Sequence, residues 1–217
     1  PIIVTPGEHP YLLRSFMEFG GKKLNSVISL GDQSGLNYAY DLRTGALFQV
    51  WRGGFLDATD MWHSRGMAQL AVPLGSIVPL SDAPSVAILP DQNGPWPDSV
   101  AFDDFRDEGY ELDKDRIPTF SYVIKGTAVK DKITPAEDRT GFVRTIAITN
   151  PSAGLYGRII SGSTIEQLNK ELYRVNGSCY LLIDKRYRPL IRQTKEGEEM
   201  LVALADLKDP LTYSIIW

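Results

Sequence analysis

Apolar and polar residues alternate along most of this chain in short runs, and the runs end in Gly, Pro, Asn or Asp. Strands joined by turns produce that pattern, because successive side chains of a strand point to opposite faces. The clearest case is the last run, where Leu211, Tyr213, Ile215 and Trp217 alternate with Thr212, Ser214 and Ile216. Phe120, Tyr122 and Ile124 repeat it, as do Phe142, Ile146 and Ile148. Candidate strands cover 24–30, 36–42, 46–52, 85–89, 99–105, 118–125, 127–133, 141–149, 155–160, 171–175, 178–184, 187–193, 199–205 and 211–217. One apolar face per strand needs a second sheet to cover it. The pattern therefore predicts an all-β chain, a large antiparallel β-sandwich of about a dozen strands, for which a mutarotase-like supersandwich is one arrangement.

Turn chemistry agrees with antiparallel links. Asn176-Gly177 separates two apolar runs, and both residues tolerate the positive φ that a tight hairpin needs. The same residues with Ser178 form a formal glycosylation sequon, but the turn accounts for them. Gly45, after Arg43-Thr44, is free to close a second hairpin. One short helix is predicted over 164–172, where Ser163 and Glu166 have capping-box spacing and Ile165, Leu168 and Leu172 share a face. No repeat or low-complexity linker divides the chain, so residues 1–217 are read as one domain, with 90–98 as the best candidate seam.

Composition narrows the functional classes. The 217 residues are 43% hydrophobic, ample for a core. A formal charge of −4 argues against a partner held through phosphates, so nucleic acid is not expected. The longest weakly polar run, Met67 to Leu80, is interrupted by Gln69, Pro73, Gly75 and Pro79, and falls short of the ~20 apolar residues of a membrane helix. The chain starts at Pro1 without a charged-then-apolar leader and is read as a mature form or a fragment. Cys179 is the single cysteine, within an apolar run, and reads as a small buried hydrophobe.

Candidate chemistry concentrates in 38–66. Gly53-Gly54 lets the chain turn sharply after Trp51-Arg52, and Phe55, Asp57, Asp60, Trp62, His63 and Arg65 follow. Sugars are bound by this mixture, because an indole covers the apolar face of a pyranose while charged and amide groups bond its hydroxyls. The candidate platform is Trp51, Trp62 and Trp96 with Tyr38 and Tyr40, flanked by Arg52 and Arg65. The same aromatics fit equally as core residues. Asp57 and Asp60, with His63 assisting, are the candidate acid–base groups of a glycosidase, although sequence spacing in a loop does not set the separation of about 5 to 9 Å such chemistry requires. His9 and His63 are far apart, and no His-x-His or His-x-x-x-His pair exists, so no metal is expected. The acidic stretch from Asp103 to Asp115 lacks a regular calcium loop, carries Arg106 and Lys114, and reads as a solvated connection. Gly31-Asp32-Gln33-Ser34-Gly35 departs from a nucleophile elbow and reads as a turn.

The runs Leu13-Arg14-Ser15-Phe16, Ile28-Ser29-Leu30-Gly31-Asp32, Asn37-Tyr38-Ala39-Tyr40-Asp41, Gln49 to Ala58 and Met61-Trp62-His63-Ser64-Arg65-Gly66 carry a resemblance. Pro73-Leu74-Gly75 and Pro118-Thr119-Phe120-Ser121-Tyr122 extend it, so it lies within 13–122. Together they resemble a poorly characterised domain of large secreted bacterial proteins. In those proteins the domain is often joined to a c-type cytochrome module or to a concanavalin-like module related to keto-sugar glycoside hydrolases. The resemblance implies a periplasmic or extracellular setting and carbohydrate metabolism, and offers no catalytic residues to transfer. No haem-attachment motif occurs, so no cofactor is expected in this chain. Three readings follow: a carbohydrate-recognition or accessory domain, a module docking an upstream cytochrome or hydrolase domain, and a glycoside hydrolase.

Overall fold

The structure, a computed structural model, describes residues 1–63, 66 and 68–217. In chain order its elements are β1 (Ile3–Val4), β2 (Tyr11–Phe19), β3 (Lys22–Gly31), β4 (Leu36–Asp41), β5 (Ala46–Asp57), the short helix α1 (Thr59–His63), β6 (Val72–Pro79) and β7 (Val86–Ile88). A 3-10 turn at Phe102–Asp104 leads into β8 (Phe105–Leu112), β9 (Pro118–Ile124), β10 (Thr127–Pro135), β11 (Gly141–Thr149) and β12 (Leu155–Gly162). The chain ends with β13 (Ile165–Gln167), β14 (Leu172–Val175), β15 (Cys179–Ile183), β16 (Leu190–Gln193), β17 (Glu198–Ala203) and β18 (Leu211–Ile216). The strands form three antiparallel sheets. The first runs β1-β5-β4-β3-β2 with β6 also on β5, the second β13-β14-β15-β18-β11-β10-β9-β8, and the third β16-β17-β12-β7. The architecture is an all-β sandwich.

Alternation explains how the first sheet is used on both faces. Leu36, Tyr38 and Tyr40 of β4 enter the main core, where Tyr40 stacks on Phe120 at 4.1 Å and Tyr38 meets Phe142 edge-on at 5.3 Å. Ala39, between them, belongs to a smaller core on the other face with Met17, Val27, Phe48, Trp51 and Phe55. The main core draws residues from all three sheets. Cys179 is buried in it, and burial raises its thiol pKa, as suits a packing residue.

The turns follow their residues. Asn176 and Gly177 both have positive φ, 53° and 66°, and the Ser178 N–H closes onto the Val175 carbonyl at 3.0 Å. Gly45 has φ 68°, and a Cβ there would meet the Tyr122 ring at 2.7 Å, so the β4–β5 turn needs glycine for two reasons. The helix expected over 164–172 is a hairpin instead. Asn176 Oδ1 accepts the Ser163 N–H at 2.7 Å, and a Glu198 carboxylate oxygen accepts the Ile165 N–H at 2.6 Å, so tertiary partners take the donors a helix would have capped. The short helix lies at Thr59–His63. Strands β2, β6 and β8 were not among the expected ones, and β8 occupies part of the acidic stretch read as a connection.

One buried ion pair ties the layers together. Arg144 of β11 donates to both carboxylate oxygens of Asp131 of β10, at 3.0 and 2.6 Å. Its remaining reach covers the Gly45 carbonyl (3.0 Å), Ser85 Oγ (2.9 Å) and the Tyr213 hydroxyl (3.2 Å), while Tyr40 donates to Asp131 at 2.9 Å. A carboxylate stripped of its guanidinium in such a place is costly. Replacing Arg144 with Met is therefore expected to lower the unfolding free energy by about 3–5 kcal/mol, read by equilibrium urea denaturation. Adding Asp131→Leu to that variant is expected to recover most of the loss, since no unpaired charge remains.

Candidate functional site

Three of the expected platform residues lie inside. Tyr38, Tyr40 and Trp51 are buried, and each is committed: the tyrosines pack between the first two sheets, and the Trp51 indole N–H donates to the Gly54 and Phe55 carbonyls at 3.0 and 3.1 Å. Large rings in a two-layer β fold are drawn to the interior, and a face already packed against other side chains is not available to a sugar. Trp96 is half-buried against the Ala87, Leu89 and Leu201 cluster; its indole N–H donates to the Pro84 carbonyl at 2.9 Å and the Arg158 guanidinium lies 5.5 Å from its ring. Arg52 lies over the Trp217 ring and donates to the carbonyls of Trp217 (3.0 Å) and Arg139 (3.1 Å). Among the described residues of this set, Trp62 alone stands out from the surface, 70% exposed on α1, with His63 exposed beside it. Arg65 lies outside the described residues.

Of the acid–base candidates, Asp57 has a local duty. An Asp57 carboxylate oxygen accepts both the Thr59 hydroxyl and the Thr59 N–H, the latter at 2.8 Å, forming the turn that starts α1. These two bonds, the hydroxyl first, hold the Asp57 pKa below the ordinary carboxylate value. A group so held stays ionised and is a poor proton donor at neutral pH. Asp60 is exposed in the first turn of α1. Among the described residues, no group of three His, Cys, Asp or Glu side chains is placed to hold a metal ion.

A concave surface does exist, elsewhere. A groove of about 480 Å³ opens between the segment 7–12, leading into β2, and the segment 110–116 at the end of β8, where edge strands of the first and second sheets lie on the same side of the sandwich. Tyr11 and Tyr110 line it, 46% and 41% exposed, with Glu8, His9, Leu112 and Arg116. Tyr11 meets Phe55 edge-on at 6.3 Å and Tyr110 meets Phe120 at 5.8 Å, so each ring rests on the core while part of it stays in water.

The walls are built by specific local devices. In β8, Asp107 pairs with Tyr122 but Tyr110 pairs with Phe120, so Glu108 and Gly109 together oppose Ser121. This bulge uses Gly109 at φ 84° and shifts the inward phase from odd to even positions, which brings Tyr110 onto the Phe120 face. Beyond it, Asp113 accepts the Asp115 and Ile117 N–H groups, each at 2.9 Å, and Lys132 Nζ at 2.7 Å. The lysine first, then the backbone bonds, holds the Asp113 pKa low, and the turn sets Arg116 at φ 61°. The Asp113 N–H to Ile117 carbonyl bond, 3.1 Å, turns the odd positions at this end of β8 toward β9. The backbone N–H and carbonyl groups of Tyr110 and Leu112 therefore point to the free side of the strand.

The sequence carried one signal for this groove. Tyr110 and Leu112 alternate with Glu111 and Asp113 directly after a glycine, a short strand hidden within an acidic run. Comparison with protein-family models, with curated proteins and with solved structures finds no match to this chain. Replacing Thr59 with Val is expected to raise the Asp57 titration midpoint toward the ordinary carboxylate range, measured by NMR titration of the side-chain carboxyl carbon, because the hydroxyl is the larger cause of its low pKa.

Proposed function

We propose that this chain is a carbohydrate-recognition or accessory module of a secreted or periplasmic bacterial glycan-processing protein, and that it binds sugar in the groove between β2 and β8. The observation that carries the reading is the pair of half-exposed rings, Tyr11 and Tyr110, on opposite walls of one concavity. A tyrosine ring anchored on the core presents a flat apolar face at little entropic cost, which suits the C–H face of a pyranose. Glu8, His9 and Arg116 supply directional partners for hydroxyls, and the outward backbone groups of Tyr110 and Leu112 add fixed donors and acceptors. The volume falls within the roughly 300–1,000 Å³ of small-ligand sites. Binding is favoured over hydrolysis because hydrolysis uses a pair of carboxyl groups, and Glu8 is the one carboxylate among the residues lining the groove. The cellular setting rests on the resemblance of 13–122 alone.

Calorimetry against oligosaccharides selected on a glycan array tests the reading. Tyr110→Ala and Tyr11→Ala are each expected to weaken binding by about tenfold, the equivalent of losing one aromatic contact of about 1–1.5 kcal/mol, while Trp62→Ala leaves it unchanged. A silent array, or affinity lost in Trp62→Ala and retained in both tyrosine variants, overturns the assignment.

A further inference from the structure

The outer edge of the first sheet poses a separate question. Strand β6 pairs with β5 on one side; on the other, the Ala71 N–H just before the strand donates to the Phe16 carbonyl of β2 at 2.9 Å, and from Val72 onward that edge pairs with no strand among the described residues, while the side chains of Val72, Leu74 and Ile77 are 48%, 37% and 45% exposed. It has no charge: no Asp, Glu, Lys or Arg occurs between Ala68 and Ser81, as in the two- and three-residue edge strands β1 and β7, whereas the longer edge β2 carries Arg14 and Glu18, β8 carries Arg106, Asp107, Glu108 and Glu111, β13 carries Glu166 and β16 carries Arg192. Charged edges resist joining to another strand, and an uncharged apolar edge does not.

Hydrogen-bond phase defines what this edge offers. The Leu80 N–H donates to the Phe48 carbonyl at 2.8 Å, and Val50, Arg52 and Gly54 pair with Val78, Ser76 and Leu74. Even positions of β6 thus face β5, and the outward positions are Pro73, Gly75, Ile77 and Pro79. The two prolines have no N–H, so only Gly75 and Ile77 present both a donor and an acceptor.

We propose that β6 pairs antiparallel with β6 of a second copy of this chain, about a two-fold axis at Ser76. In that register Gly75 lies opposite Ile77 of the other copy, so the two outward donors and two outward acceptors of these residues on each strand are all used. The alternative with Gly75 opposite itself places Ile77 against Pro73, which returns no donor. Each Ile77 side chain lies over a glycine, leaving room for it, and Leu74 lies opposite Val78. Proline at both ends stops the pairing after the central residues and keeps the assembly closed and two-fold.

Disulfide trapping and sedimentation test this. Ser76 faces its own copy as a non-hydrogen-bonded pair, with Cα atoms about 4.5 Å apart, a spacing a disulfide accepts. Ser76→Cys is expected to cross-link the full chain to a dimer under mild oxidation, with Cys179 buried and silent, while Leu74→Cys, opposite Val78, cross-links far less. Analytical ultracentrifugation is expected to show a concentration-dependent dimer whose dissociation constant rises at least about tenfold in Ile77→Lys, circular dichroism being unchanged. A monomer at every concentration, equal cross-linking of the two cysteine variants, or a dimer untouched by Ile77→Lys overturns the proposal. Glycan binding at the β2–β8 groove is read independently of all three results.

Discussion

The Asp131–Arg144 pair is the constraint around which the sandwich is arranged. Its charges lie in the interior, and neither is tolerable there unless the other sits within hydrogen-bond reach. Satisfying the guanidinium takes a carbonyl from the β4–β5 turn, a serine just before β7 and a tyrosine from β18, so one side chain contacts groups associated with all three sheets. Burial, then the Asp131 charge, raises the pKa of the Tyr40 hydroxyl, which keeps it a donor to that carboxylate. The pair adds little net stability over a well-packed apolar alternative, because two ions lose their water to form it; the large cost comes from removing one partner alone.

That arrangement decides which aromatics remain for the surface. Tyr38, Tyr40, Phe120 and Phe142 interlock between the first two sheets, and Trp51 fills the smaller core with Phe55 and Phe48. What the packing leaves open is the side where β2 and β8 end their sheets, and Tyr11 and Tyr110 project there with their rings propped on Phe55 and Phe120. Edge strands thus serve two ends in this molecule. The β8 edge is charged and bulged and lines a groove, while the β6 edge is uncharged and trimmed by prolines.

Much of the fold was legible where one face is buried and the other wet. The strands β9, β10, β11 and β18 show the period of two plainly, and the Asn176-Gly177 turn takes the conformation its residues demand. Even the central ion pair left a trace: Arg144 falls in phase with Phe142 and Ile146, and Asp131 in phase with Val129 and Ile133, each a charge on an otherwise apolar face. Strand β6 was hidden because its polar phase is absent, β8 because a bulge breaks its period, and the capping-box spacing at Ser163 misled because Asn176 and Glu198, distant in the chain, bind those donors.

Alternation and turn residues, being local, were enough to determine an antiparallel all-β protein with two of its hairpin turns. Which rings are buried and which line a groove was decided only in three dimensions. Tyr11 and Tyr110 are separated by almost half the chain, and a bulge phase and two sheet edges bring them to one concavity, while the aromatics crowded into 38–66 were near neighbours in sequence and went to different layers. Proximity along a strand sends successive side chains to opposite faces, so a cluster in sequence is dispersed by the very pleat it builds.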